Sequence, residues 1–151
     1  MGRLGDFFPE REKQTYIARQ LKPGQVLYLF CRFTNPQKEK YLVLACPGTR
    51  PLLLVVNSAI HPFIARQPDL LRCQVKLSTA DYAFLEHDSY VNCGEVIDCL
   101  DESEIESQVL TDVGRIKGEL TTVSRRAIVQ AVQGARTVST RHKRLIADSL
   151  K

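Results

Sequence analysis

No apolar run in this chain approaches the ~18–20 residues that a bilayer-spanning helix needs, so a membrane protein is not expected. The leading stretch "MGRLGDFFPEREK" lacks the apolar h-region of a secretory signal. It has Asp6 where a myristoylation motif needs Ser or Thr. The five cysteines, Cys31, Cys46, Cys73, Cys93 and Cys99, contain no C-x-x-C pair, which argues against structural zinc. Their odd number, and the place of four of them in apolar, strand-like segments, point to reduced thiols and a cytoplasmic protein. No G-x-S-x-G elbow is present, so a Ser-His-Asp hydrolase is not indicated. The phosphate-cradling patterns G-x-x-x-x-G-K-[ST] and G-x-G-x-x-G are missing too. There are no internal repeats and no low-complexity tract. No metal or cofactor is expected.

What is present suits one soluble domain. At 151 residues, with 44% hydrophobic and 25% charged residues, the chain can bury a core without covalent staples. The net charge of +4 hides a segregation. Residues 78–106 hold nine acids and no Lys or Arg; the rest holds all 21 basic residues and 8 acids. A basic body suits a polyanionic partner such as RNA or DNA, although the same charges can simply decorate a solvated surface.

Residues 1–22 form a leading appendage. Asp6 or a neighbour caps a helix with Pro9 in its first turn, and Tyr16, Ile17 and Leu21 fall on one side. Strands follow at 25–33 and 41–46. The run "LLLVVN" (52–57) is apolar throughout, so both faces of that strand are buried. Pro62 and Pro68 break the irregular stretch 58–72. A fourth strand is expected at 73–77, and a helical turn or two at 78–85 capped by Ser78. "SYVNC" (89–93) and "EVIDCL" (95–100) read as strands, or as one strand bent at Gly94. "DESEIESQ" is acidic and polar, and 114–120 is a short strand or entry turn. Ser124 then caps a helix with Ala127, Ile128, Ala131 and Val132 on one face. A last helix at 139–150 carries Leu145, Ile146 and Leu150. The whole describes a mainly β domain: a small, mostly antiparallel barrel or curled sheet (23–120) with an N-terminal helix and one or two C-terminal helices (121–151).

The order of pieces resembles the MazF/PemK-type toxins over roughly residues 23–133. "PGQVLYL", a polar loop and "KYLVLA" are similar to the start of that family. "VKLSTADYAFLEHDSYVNCGEVIDCL" (75–100) and "GRIKGELTTVSRRAIVQAV" are similar to its later strands and helix. The resemblance implies an SH3-like barrel that forms a homodimer, cleaves single-stranded RNA without metal and is neutralised by an antitoxin protein. In that chemistry a 2′-hydroxyl attacks the neighbouring phosphodiester. It needs a proton acceptor, a proton donor and positive charge at the phosphorane. The positions matching the family's catalytic Arg and its Thr or Ser are Lys40 and Ser58, with Asn57 as a one-residue alternative. Lys40 is a departure, because a lysine is one mobile point charge where an arginine is a bidentate fork. A barrel that binds protein or nucleic acid without catalysis is therefore the competing expectation.

His61, three residues after Ser58, is a candidate acid–base group, or a half-exposed loop residue. Arg32 and Lys38 flank the polar loop and can add phosphate contacts, or decorate a solvated hairpin tip. Tyr28, Phe30 and Phe33 alternate along the first strand and read chiefly as barrel core, with base stacking as the alternative. Arg141, Lys143 and Arg144 can meet phosphates or water. The acid–imidazole–acid triplet Glu86-His87-Asp88 reads as the joint between a turn and the next strand, held by Asp88 and Ser89, rather than as a catalytic centre.

Overall fold

Strands β1 (Gln25–Cys31), β2 (Lys38–Cys46) and β3 (Leu52–Asn57) pair antiparallel in sequence order. With β4 (Gln74–Leu77), β5 (Ser89–Asn92) and β6 (Ile116–Glu119) they make a six-stranded sheet of order β4-β5-β3-β2-β1-β6. The computed structural model describes residues 10–151, so the expected cap at Asp6 and the first-turn Pro9 lie outside the described residues. The sheet curls into a half-barrel with helices added at both ends, the mainly antiparallel architecture with helical additions that the pattern predicts. These helices are α1 (Glu10–Gln20), α2 (Pro62–Ala65), α3 (Pro68–Leu71), α4 (Glu102–Thr111), α5 (Thr122–Gly134) and α6 (Thr140–Leu150).

Side chains alternate across a strand, and here the alternation sorts them into two cores. Val26, Val43, Leu54 and Val56 face one way and pack with Ile128 and Val132 of α5 and Ile146 and Leu150 of α6. Leu27, Leu29, Leu42, Leu44, Leu53 and Val55 face the other way, toward Ile17 of α1 and Ile105 and Val109 of α4. Helices cover the central strands on both faces. That is why Leu52 through Val56 are all buried, and why the run can be apolar without pause. Each such side chain contributes roughly 1.5–3 kcal/mol by leaving water.

Several local expectations need correction. The acidic stretch after Leu100 is a helix. Asp101 caps α4 by accepting the Glu104 N–H at 2.8 Å, and Glu102 and Glu104 suit the positive end of the helix dipole. Its apolar stripe is short, chiefly Ile105 and Val109, so polar composition hid it. Thr121 rather than Ser124 caps α5: its Oγ1 accepts the Ser124 N–H at 3.1 Å. Pro62 and Pro68 open one-turn helices instead of breaking structure, since the first helical position needs no N–H. The stretch 78–85 forms turns with Ser78 at their base, not a helix. Of "EVIDCL", Ile97 alone bridges to the sheet, exchanging backbone hydrogen bonds with Leu53 at 2.8 and 2.9 Å. Phe30 and Phe33 are 36% and 37% exposed and belong to no core cluster.

Neither terminal helix is a loose appendage, for Ile17 and Ile146 are both buried. Among the described residues no helix is long and apolar enough to cross a membrane. Ile146→Ala should cost about 2–5 kcal/mol in urea denaturation, the range for emptying a packed site; a loss under about 0.5 kcal/mol would place α6 outside the cooperative core.

Candidate functional site

Lys40 lies near the start of β2, where the polar loop gives way to apolar residues. The register Tyr41↔Val56 makes Lys40 and Asn57 cross-strand neighbours on one face, and the Lys40 ammonium donates to Asn57 Oδ1. Opposite Lys40 on β1 stands Leu29. Half-burial pushes the Lys40 pKa down, and the charge of Lys38 adds to the effect. The nearby Cys31 thiol acts the other way. Cys31 itself is pushed up to about 11, chiefly by burial, so it is a thiol and not a nucleophilic thiolate at neutral pH. The ammonium of Lys40 therefore surrenders its proton more readily than an exposed lysine does.

A cleft of about 650 Å³ opens over this end of the sheet. Tyr28 and Tyr41 form one wall, their ring centroids 4.7 Å apart. Tyr41 donates to the Phe84 carbonyl at 3.2 Å, and burial raises its pKa. The chain leaves β3 through Asn57 and Ser58 and turns at His61 into α2. His61 caps that helix: its Nδ1 accepts the Phe63 N–H at 3.1 Å. In the neutral ring Nε2 then carries the hydrogen, so His61 can donate a hydrogen bond into the cleft.

The cleft thus brings together Lys38, Lys40, Asn57, Ser58 and His61. It does not include Arg32. That side chain lies 3.7 Å from Glu104 of α4, beside Phe30 and Gln108 in a different depression. Lys38 pairs with Cys31 across the hairpin, next to Arg32, yet the two basic residues line different depressions.

The structure adds two groups that the sequence pattern left outside the site. Glu86 and His87 line the same cleft. The joint around them is held as expected. Asp88 Oδ1 accepts the Thr79 N–H at 2.9 Å and the Thr79 hydroxyl at 3.3 Å, and Asp88 Oδ2 lies 3.4 Å from Lys76. Ser89 donates to the His87 carbonyl at 3.0 Å. The chain on either side of His87 is therefore pinned, while its ring stays exposed at the cleft. Nothing local in the sequence announces this. The proximity of His87 to Lys40 comes from β5 pairing with β3, and only an expectation of that pairing could have found it.

Among the described residues, no group of three or more His, Cys, Asp or Glu is placed to hold a metal ion. No protein-family model and no curated protein matches this chain.

The Thr79 backbone N–H first, then Lys76, hold the Asp88 carboxyl below the usual carboxylate range. A depressed carboxylate adds stability above its unfolded pKa of about 3.9 and loses it as pH falls through the folded value. Asp88→Asn should therefore melt below wild type at pH 7, and the gap should narrow as the pH drops below about 4. A gap that widens on acidification would contradict the Asp88 clamp.

Proposed function

We propose that this cleft binds single-stranded RNA and cleaves it by metal-independent transphosphorylation, in the manner of the MazF/PemK-type toxins that the sequence resembles. The observation that carries the proposal is one cleft lined by a half-buried lysine, two imidazoles, a serine and a tyrosine pair. That set can supply the proton acceptor, proton donor and positive charge that the reaction needs. A base removes the 2′-hydroxyl proton, the 2′-oxygen attacks phosphorus, and the bond to the 5′-oxygen breaks as that oxygen gains a proton. The products are a 2′,3′-cyclic phosphate and a 5′-hydroxyl.

His87 is the proton acceptor, because the Nδ1 of His61 is already engaged as a helix cap. Lys40 balances the phosphorane charge and protonates the leaving oxygen, a role suited to a lysine whose proton is loosened by burial. Ser58 and the Nε2–H of His61 hydrogen-bond the non-bridging oxygens. Lys38 and Asn57 flank the strand, and the Tyr28–Tyr41 pair walls the cleft beside it. The same proposal makes the protein cytoplasmic, a homodimer, and the target of an antitoxin protein.

A second reading has its own support. The Lys40 ammonium is engaged by Asn57 and His61 is engaged by Phe63, as in a site built to bind rather than to react. The test is purified protein with single-stranded RNA in EDTA. Fragments ending in cyclic phosphate are expected. Lys40→Ala and His87→Gln should each slow cleavage about 10²-fold or more, the scale of one acid–base group. RNA binding without cleavage would favour the binding module. Variants as fast as wild type would remove Lys40 and His87 from the chemistry.

A further inference from the structure

Beside the cleft over Lys40 lies a second one of about 600 Å³; Ile64 and Gln74 line both, so the two adjoin. The second part is walled by Phe63, Leu70, Val96 and Val138, with His142 of α6 at its edge. It is assembled from the α2–α3 segment and the start of α6.

Two features give this second part a character of its own. Phe63 is 61% exposed, although its backbone is held by the His61 cap. A rigidly carried, exposed aromatic ring in a groove is a stacking platform. The charge beside it is positive. Arg72 and Arg136 lie 3.3 and 3.9 Å from the same carboxylate, Asp69, so two guanidiniums share one acid. Arg141 stands in the first turn of α6 next to His142, and both Arg136 and Arg141 are exposed. From 121 to 151 the chain holds seven Lys or Arg and one acid, Asp148. Glu95 is the acid that lines this part of the groove.

We propose that the two adjoining clefts act as one groove, the path of a single-stranded RNA longer than the dinucleotide at the scissile bond. A flanking base stacks on Phe63, and flanking phosphates meet Arg136 and Arg141. The RNA occupant rests on the reading of the first cleft as an RNA site; the exposed ring and the charge do not depend on catalysis. Ile64 and Gln74 mark the point where the strand crosses from the reacting part to the anchoring part.

The test uses fluorescein-labelled, 2′-O-methyl oligonucleotides, which cannot be cleaved through the 2′-oxygen, as a trinucleotide and a nonanucleotide. Fluorescence anisotropy should show the nonanucleotide binding about tenfold or more tightly. Phe63→Ala should lose about tenfold on the nonanucleotide, the effect of one stacked base, and leave the trinucleotide within about twofold. The Arg136→Ala, Arg141→Ala double variant should flatten the log–log salt dependence of binding by about 0.7 for each phosphate it no longer neutralises. Circular dichroism and melting should be unchanged, since all three side chains are exposed. Equal affinity for both lengths, or full affinity in both variants, would overturn the groove. Phe63-dependent binding without cleavage of unmodified RNA would retain the groove and remove the catalytic proposal. Cleavage without any effect of Phe63 would do the reverse. Failure of either oligonucleotide to bind would overturn both.

Discussion

Everything in this protein is arranged around three apolar strands that cannot face water on either side. β1, β2 and β3 alternate their side chains into two separate cores, one closed by α5 and α6, the other by α1 and α4. An isolated sheet of this composition would expose a long hydrophobic face and a reactive edge. The helices are therefore required by the strands. The edge of β1 beyond its pairing with β6 is managed in the same spirit. The Gln108 side chain pairs with both the N–H and the carbonyl of Phe30, at 2.8 and 3.1 Å. Arg115 satisfies the Tyr28 carbonyl at 2.8 Å and reaches Glu39 at 2.6 Å. Side chains stand in for a missing strand.

Covering both faces leaves polar chemistry one place to go, the ends of the strands. Lys40 and Asn57 sit where β2 begins and β3 finishes, still close enough to the core for burial to perturb the lysine. The loops that leave those ends supply Ser58 and His61, and the turn before β5 supplies Glu86 and His87. A rigid scaffold with functional side chains on its connections is the usual division of labour. Here the connections are themselves braced, by the His61 cap and by the Asp88 clamp, so the exposed imidazoles are carried on fixed backbone.

The segregation of charge has two structural outcomes. The acidic stretch 78–106 supplies the capped start of α4 and the joint before β5, where carboxylates accept backbone N–H groups. The basic excess falls partly on α5 and α6, beside the second part of the groove. Two of the nine acids in the acidic stretch, Asp88 and Asp101, accept backbone N–H groups, a role that is local and short-ranged.

How much of this was legible depended on the range of the forces involved. The run Leu52–Val56 announced a strand buried on both faces, because a continuous apolar run admits little else. Lys40, Asn57 and Ser58 are singled out by the family resemblance and His61 by its spacing from Ser58, and the four share a cleft because they stand at the ends of strands that are neighbours in sequence. Asp88 and Ser89 could be read as a joint because their hydrogen bonds are to residues nearby in the chain. Other features depended on partners far away. The helix at Glu102–Thr111 needed the far side of the sheet to justify two buried residues among so many acids. Arg32 lines a different depression, 3.7 Å from Glu104 seventy-two positions on. His87 joined the site because β5 adds to β3 across an intervening excursion of the chain. Local pattern determined the buried central strands and the Asp88–Ser89 joint, and the family resemblance pointed to the candidate lysine. That His87 shares a cleft with that lysine was decided only by long-range strand pairing, because side-chain proximity follows the register of the sheet and not the spacing of the sequence.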